Sequence, residues 1–165
     1  MLKTTLTAAL LLAATGALAQ EAAPQEVEAP FTWSTVDAAP TLPMGDGQEA
    51  YMADIYVVLS AAEGPLAGLA GRCMVIGVAV LATSAERNSG TCVYVDAKGD
   101  QLWKRIEGEG NGAPFRGHGT FIGGTGRFEG ASGEVDYDTS FSGSLRTGVY
   151  QGMGINRGTL TLAGS

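Results

Sequence analysis

The stretch that decides the fold runs from Gly117 to Val135 and reads G-H-G-T-F-I-G-G-T-G-R-F-E-G-A-S-G-E-V. Its segment Thr120-Phe121-Ile122 favours a strand, because branched and aromatic side chains pack well on a pleated surface. Five glycines follow in the eleven residues from Gly123 to Gly133. A helix would lose about 1 kcal/mol at each of them relative to alanine. The stretch therefore predicts a strand, a glycine-rich corner around Phe128 and a returning strand.

The rest of the chain repeats this strand-and-turn pattern. Glu134 to Asp138 and Gly158 to Leu162 alternate at a period of two, and no amphipathic helix is evident. Short turns separate about eight such segments, which predicts an all-β fold. We expect an antiparallel eight-stranded closed β-barrel, since closure removes exposed sheet edges, with a β-sandwich as the alternative. The further predicted strands are Tyr51–Leu59, Cys73–Leu81, Thr91–Val95, Gln101–Glu107 and Gly148–Met153, with polar loops at Ser84–Gly90 and Ser140–Thr147.

Three motifs carry a resemblance to a known group of proteins. They are the run Gly119 to Gly133, the G-R-C at Gly71 to Cys73, and the G-T-C-V-Y-V-D-A-K-G-D at Gly90 to Asp100. Together they resemble small exported bacterial proteins of unknown function, whose barrel is similar to that of allene oxide cyclases and dirigent proteins. The resemblance covers roughly Tyr51 to the C-terminus. It implies a barrel with an apolar cavity that guides a reactive intermediate without a cofactor, and it assigns no functional residue.

The N-terminus has the features of a secretory signal peptide. Lys3 precedes the apolar run Leu6 to Leu18, and Ala17-Leu18-Ala19 forms a small-residue cleavage site before Gln20. The apolar run is shorter than a membrane-spanning helix, although an uncleaved anchor is the alternative. We expect a signal peptide over residues 1–19, a flexible acidic and proline-rich leader and arm over 20–47, and the barrel over 48–165. Within the second segment, Phe31 to Val36 is either a first strand or an arm that docks its aromatic side chains on the barrel. The mature protein would be periplasmic or secreted, with no membrane span.

Cys73 and Cys92 are the only cysteines. An exported protein meets an oxidising environment, and an even cysteine count favours a bridge between the two. In the chain-entropy model such a bridge contributes roughly 3 kcal/mol of stability. The alternative is two separate buried thiols.

Charge and motif content exclude several function classes. The formal net charge is −7 at pH 7 and no cluster of Lys and Arg occurs, so nucleic acid and anionic lipid surfaces are poor partners. His118 is the single histidine, which excludes a histidine-rich metal site. The acidic Asp96 to Asp100 segment lacks the other ligands of a calcium loop and is typical of a tight turn. We expect neither a metal nor a cofactor.

Alternation along the strands gives a set of candidate cavity residues. Tyr94 shares one face of its strand with Asp96, and Trp103, Arg105 and Glu107 share one face of the next. Aromatic, Arg and carboxylate groups on an interior face would resemble a proton-shuttling cavity. The alternative is a solvated outer face with cross-strand pairs. The full set is Tyr94, Asp96, Trp103, Arg105, Glu107, His118 and Tyr137.

The segment Cys73 to Leu81 is apolar on both faces, although an antiparallel barrel strand normally buries only one. Either a local element such as the Phe31–Trp33 arm covers the outer face, or the face is an oligomer interface. The resemblance implies a homotrimer for the second case.

The sequence leaves two main function classes, and a third applies if the barrel interior is filled. In the first, the protein is a non-catalytic exported barrel that binds an apolar small molecule or an envelope partner. In the second, it is a cofactor-free isomerase or cyclase acting in the same cavity. A filled interior would leave a structural envelope role. Binding is the preferred interpretation, because no constellation of charged residues demands chemistry.

Overall fold

The computed structural model describes residues 23–37, 40–112 and 114–163. The expected signal peptide over residues 1–19 lies outside these ranges. Within the described ranges, nine strands and one short 3₁₀ turn make up the fold. The strands are β1 (Gln25–Thr35), β2 (Thr41–Gly45), β3 (Gln48–Leu59), β4 (Ala70–Val80), β5 (Ala85–Val95), β6 (Gln101–Asn111), β7 (Phe115–Gly124), β8 (Gly133–Arg146) and β9 (Val149–Leu160), and the 3₁₀ turn is Gly126–Phe128.

The strands form a closed antiparallel barrel. From β3 to β9 each strand pairs with the next along the chain, and β1 pairs with both β9 and β3. Eight strands thus close on themselves, which confirms the predicted barrel rather than the sandwich. The remaining strand, β2, pairs only with the start of β3 and is not one of the eight strands that close the barrel.

The barrel begins earlier in the chain than the sequence indicated. β1 starts at Gln25 and lies inside the segment expected to be a leader and arm. Its residues Val27, Ala29 and Phe31 alternate inward and are buried. The acidic and prolyl composition hides this alternation, because the residues between them all face solvent.

Two predicted loops are strands. Ala85 to Gly90 belongs to β5, where Glu86 and Asn88 point inward, and the segment from Ser140 belongs to β8, which continues to Arg146. Polar inward residues at one end of the barrel give these segments the composition of loops. Ala85 to Gly90 nevertheless pairs with both β4 and β6, and the extension of β8 pairs with β9 across two register irregularities.

Inside the barrel, aromatic side chains lie over glycines of neighbouring strands. Tyr51 covers Gly77, and Tyr137 covers Gly117, so that a Cβ atom at either glycine would overlap the phenol ring. These glycines are therefore needed for close approach rather than for a turn. The arrangement lets large side chains lie flat against the wall instead of filling the axis.

Phe128 closes one end of the barrel. Its side chain is fully buried, together with those of Leu69, Leu102 and Leu160. The 3₁₀ turn that presents it contacts β6 and β7. Gly126 starts the turn at φ +55°, a conformation that a residue with a side chain rarely adopts. We call this end the base and the opposite end the mouth.

Arg127 holds the Phe128 corner in place. Its Nε donates to Asp96 Oδ2 at 2.8 Å and its Nη1 donates to the Pro65 carbonyl oxygen at 3.2 Å. Its backbone N–H donates to Asp100 Oδ2 at 3.1 Å. The guanidinium lowers the pKa of the Asp96 carboxyl below its usual range. The predicted turn at Asp96 to Asp100 is present, and its carboxylates bind the glycine-rich corner.

A disulfide joins Cys73 and Cys92, as predicted. The two residues lie directly opposite each other on β4 and β5, with their Cα atoms 4.0 Å apart. Both side chains are buried and face the barrel interior. The bridge therefore links the two strands beside the cavity of the barrel.

Apart from the ion pair between Arg72 and Asp54, the outer face of β3 and β4 is apolar, and no described residue covers it. Met74 and Ile76 are 58% and 60% exposed, beside exposed Met52 on β3. The Phe31–Trp33 segment does not cover this face, because it is part of β1 and turns its aromatic rings into the barrel. The capping arm proposed from the sequence is therefore wrong.

The described part of the chain has no helix of sufficient length and apolarity to cross a membrane.

The packing at the base predicts the effect of truncating Phe128. Phe128→Ala should lower the free energy of unfolding by about 3–5 kcal/mol, the usual loss for a buried phenylalanine. Phe141→Ala, at a residue that is 52% exposed, is the comparison variant and should cost clearly less, about 1–2 kcal/mol, because only part of its ring is buried and it loses two edge contacts. Urea unfolding followed by fluorescence measures both. Equal losses would contradict the role of Phe128 as the closing residue.

Candidate functional site

A cavity of about 600 Å³ occupies the barrel between the base and the mouth. Apolar side chains such as Ile55, Val57 and Val75 form much of its wall. Phe141 and Tyr150 line it at the mouth and are 52% and 43% exposed, so the cavity reaches solvent there. The interior predicted from the resemblance is thus present, open at one end and closed by Phe128 at the other.

Lys104 places a buried amine in this cavity. It extends inward from β6 with only 4% of its surface exposed, and its stem runs over Gly119 of β7. Its Nζ donates to Asn156 Oδ1 at 2.9 Å. The Asn156 amide nitrogen in turn donates to the Ala29 carbonyl oxygen at 3.4 Å. Within the described residues, no carboxylate forms an ion pair with Lys104.

Two tyrosines flank the same amine. The Lys104 Nζ lies 5.4 Å from the ring centroid of Tyr94 and 5.8 Å from that of Tyr137. These distances allow cation–π attraction when the amine is protonated. Burial nevertheless outweighs it and lowers the pKa of Lys104 to about 7. Near neutral pH the cavity therefore holds an amine that exchanges readily between its neutral and charged forms.

A second polar cluster lies nearer the mouth. The Tyr51 hydroxyl donates to the Glu86 carboxylate, and the Asn88 amide nitrogen donates to the Tyr51 oxygen at 3.0 Å and to Glu86 Oε1 at 3.2 Å. Burial, together with the hydrogen bond to Glu86, raises the pKa of Tyr51 above its usual range. Tyr51 therefore stays protonated and acts as a hydrogen-bond donor at any physiological pH.

Trp33 forms the opposite wall of the mouth. Its indole N–H donates to Thr139 Oγ1 at 2.7 Å, and its ring meets Phe141 edge to face at 5.4 Å. Phe141 in turn meets Tyr150 at 5.7 Å. Because Gly152 lies under the Trp33 indole, the ring lies close against the wall and leaves the axis free.

The structure brings together only two of the seven candidate residues taken from the sequence. Tyr94 and Tyr137 both line the cavity. Burial raises the pKa of each hydroxyl, with the other ring's proximity adding to the effect at Tyr94. Both side chains thus remain protonated donors on the cavity wall.

The other five lie outside the cavity. Trp103, Arg105 and Glu107 occupy the outer face of β6, since the inward face belongs to Leu102, Lys104 and Ile106. For these three residues the structure therefore supports the alternative of an outer face and not the placement inside the barrel. A mixture of apolar and charged side chains is common on the outer face of a barrel. Leu102 and Ile106 show which alternate residues of β6 face inward.

Asp96 and His118 also lie outside. Asp96 binds Arg127 at the base corner. His118 faces outward from β7, with its Nδ1 2.9 Å from Asp136 Oδ1 and its Nε2 3.8 Å from Glu134 Oε2. The glycines on either side of His118 make room for side chains inside the barrel, because Gly117 accommodates the Tyr137 ring and Gly119 accommodates the Lys104 stem.

Sequence reasoning missed Lys104, Tyr51 and Glu86 as cavity residues. The signal for Lys104 was its shared phase with Leu102 and Ile106. The signal for Glu86 would have been the extension of the Cys92–Tyr94 alternation back through Asn88. Polar side chains at these positions were expected to face solvent, whereas in this barrel they line the cavity. Among the residues of the described ranges, no group of three His, Cys, Asp or Glu side chains could hold a metal ion.

Comparison with known proteins supports the fold. No protein-family model matches the chain, and no curated protein does. Solved structures do match, among them two dirigent proteins. The pterocarpan synthase dirigent protein GePTS1 matches with a TM-score of 0.57 and 14% identity, over 92% of this chain and 99% of that one. The pterocarpan synthase dirigent protein PsPTS1 matches with a TM-score of 0.50 and 15% identity, over 87% of this chain and 97% of that one. At such identities the likeness shows a shared dirigent-like barrel.

The buried amine predicts how stability depends on pH. In the unfolded chain a lysine keeps its proton up to pH of about 10.4, whereas Lys104 in the fold loses it near pH 7. The unfolded state thus binds more protons between these values, so the free energy of unfolding rises with pH. From pH 6.5 to 9.5 the gain should be about 3 kcal/mol, before ionisation of unfolded tyrosines reverses the trend near pH 10.

Urea unfolding of the wild type and of Lys104→Met at several pH values tests this. The variant should lack the rise and should exceed the wild type in stability at pH 6.5. Because all other titrating groups are shared, the difference between the two curves isolates the amine. Parallel curves across this pH range would contradict the burial of Lys104 in the fold.

Proposed function

We propose that the protein binds a small, predominantly apolar molecule with an aromatic ring in the barrel cavity. The observation that carries this proposal is the cavity itself, about 600 Å³ in volume and open at one end. Ligand pockets typically fall between about 300 and 1,000 Å³ and have mostly apolar walls with a few polar groups. In a barrel with only a structural role, we would expect side chains to fill this volume.

Rings at the mouth and polar groups at two depths support an oriented ligand. Trp33, Phe141 and Tyr150 offer ring edges and faces to an entering molecule. Past them, the Glu86–Tyr51 pair and the deeper Lys104 could each contact one polar substituent. An apolar body with one or two polar substituents therefore fits the arrangement.

Export to the periplasm or beyond is part of this proposal. The disulfide between Cys73 and Cys92 favours an oxidising compartment, since cytosolic thiols are kept reduced. The signal-peptide pattern of the first nineteen residues points the same way. An exported carrier of an apolar molecule would shield it from water during transfer.

A cofactor-free isomerase or cyclase in the same cavity is the second candidate. The hydrogen bond between Tyr51 and Glu86 favours it, because a tyrosine and a carboxylate in contact can hold or pass a proton. Against it, no arginine lines the cavity among the described residues. Binding remains the first proposal, since the cavity supports it without any assumed reaction.

Filling the cavity tests the binding proposal. Ala53 lines the cavity, whereas Ala70 faces outward on β4, so Ala53→Phe and Ala70→Phe are a matched pair. N-phenyl-1-naphthylamine, a neutral aromatic dye, should fluoresce strongly with the wild type and with Ala70→Phe. Ala53→Phe should weaken its binding at least about tenfold, the effect of about 1.4 kcal/mol. Circular dichroism checks that both variants are folded.

The outcome against the proposal is equally clear. If folded Ala53→Phe binds the dye as well as the wild type does, the dye binds elsewhere and the cavity is not the site. Recovery of a bound natural molecule as a new isomer, instead of unchanged, would move the proposal to the cyclase candidate.

We also infer self-association through the exposed face of β3 and β4, with a trimer as the expected state. Met52, Met74 and Ile76 form an apolar patch of the kind that marks protein interfaces. Multi-angle light scattering should give an oligomer mass for the wild type. Ile76→Glu should give the monomer mass, while Ile122→Glu, the same change at an exposed outward position on β7 across the barrel, should leave the oligomer intact. A monomeric wild type would refute this inference.

A further inference from the structure

We propose that Lys104 is a reactive amine which forms an imine with an aldehyde carried in the cavity. This inference rests on the proposed binding function and names the chemical class of its ligand. The observation that carries it is the position of the Lys104 side chain: it is buried, it lines the cavity, and among the described residues its nitrogen contacts only neutral groups.

The surroundings of the amine exclude the usual reasons for a buried lysine. A structural lysine normally pairs with a carboxylate, because an unpaired buried charge costs a large desolvation energy. Lys104 has instead an amide oxygen from Asn156 and the rings of Tyr94 and Tyr137 as neighbours. The carboxylate of Glu86 is engaged by Tyr51 and Asn88. Desolvation of this amine therefore opposes folding, and no ion pair with a described carboxylate offsets it.

Such surroundings favour the neutral, nucleophilic form of the amine. Lysines in apolar pockets are the ones that attack carbonyl groups, since only the unprotonated nitrogen has a free electron pair. Burial lowers the pKa of Lys104 to about 7, so a large fraction is neutral at physiological pH. An ordinary lysine, with a pKa of about 10.4, is neutral to less than about 0.1% at pH 7.

The step itself balances without any further reagent. The Nζ electron pair attacks the carbonyl carbon, and the carbonyl oxygen takes up a proton to give a carbinolamine. The carbinolamine loses this oxygen as water, whose two hydrogens derive from the neutral amine, and a C=N bond to Nζ remains. One water leaves for each aldehyde bound, and nothing is oxidised or reduced. The hydrogen bond from Nζ to Asn156 Oδ1 orients the amine for this attack.

The sequence supplies an internal control. Its three lysines are Lys3, Lys98 and Lys104, and of these Lys98 is exposed in the turn between β5 and β6. Benzaldehyde with sodium cyanoborohydride at pH 7 converts any imine to a stable benzylamine, and peptide mass mapping assigns it. Lys104 should be labelled at least about tenfold faster than Lys98, given the difference in neutral fraction. In urea the two rates should become equal.

A non-reacting analogue separates this inference from the binding proposal. Excess benzyl alcohol should slow labelling of Lys104 at least about threefold and leave Lys98 unchanged, while Lys104→Met should lose the fast label. If the dye binds in the cavity but Lys104 in the folded protein is labelled no faster than Lys98, the imine inference is overturned and binding stands. If neither the dye nor the alcohol enters the cavity, both proposals fall.

Discussion

Burial of Phe128 at the base is the interaction on which the rest of the structure depends. Its ring closes one end of the barrel together with the buried side chains of Leu69, Leu102 and Leu160. The corner that presents it is fixed by Arg127, which binds Asp96 on the β5–β6 turn and the Pro65 carbonyl oxygen on the β3–β4 connection. Three separate parts of the chain are thereby joined around one side chain.

Closure at the base frees the remainder of the interior from a packing role. An eight-stranded barrel has room either to be filled by side chains or to hold one small ligand. Here glycines on the inner wall allow Tyr51, Tyr137 and Trp33 to lie flat, so the axis stays open. The same cavity contains Lys104, whose burial opposes folding. Stability at the base thus compensates for a costly group in the cavity, which is the distribution expected of a site kept for function.

The sequence predicted the wall of the barrel better than its contents. The glycine-rich corner, the Asp96–Asp100 turn and the bridge between Cys73 and Cys92 follow from local turn chemistry and from cysteine count. The cavity residues were harder to find, because Lys104 and Glu86 are polar and a polar residue ordinarily faces water. Assigning the phase of β6 from Leu102 and Ile106, rather than from its charged residues, would have placed Lys104 correctly.

The measurement that tests the account most directly is methyl-labelled NMR of the protein with bound 1-naphthol. The cavity predicts nuclear Overhauser contacts from the naphthol ring to the inward methyl groups of Ile55, Val57 and Val75. It predicts none to the outward methyl groups of Val58 and Ile76, which lie on the same two strands. Contacts confined to the outward set would contradict the central claim that the barrel interior is the ligand site.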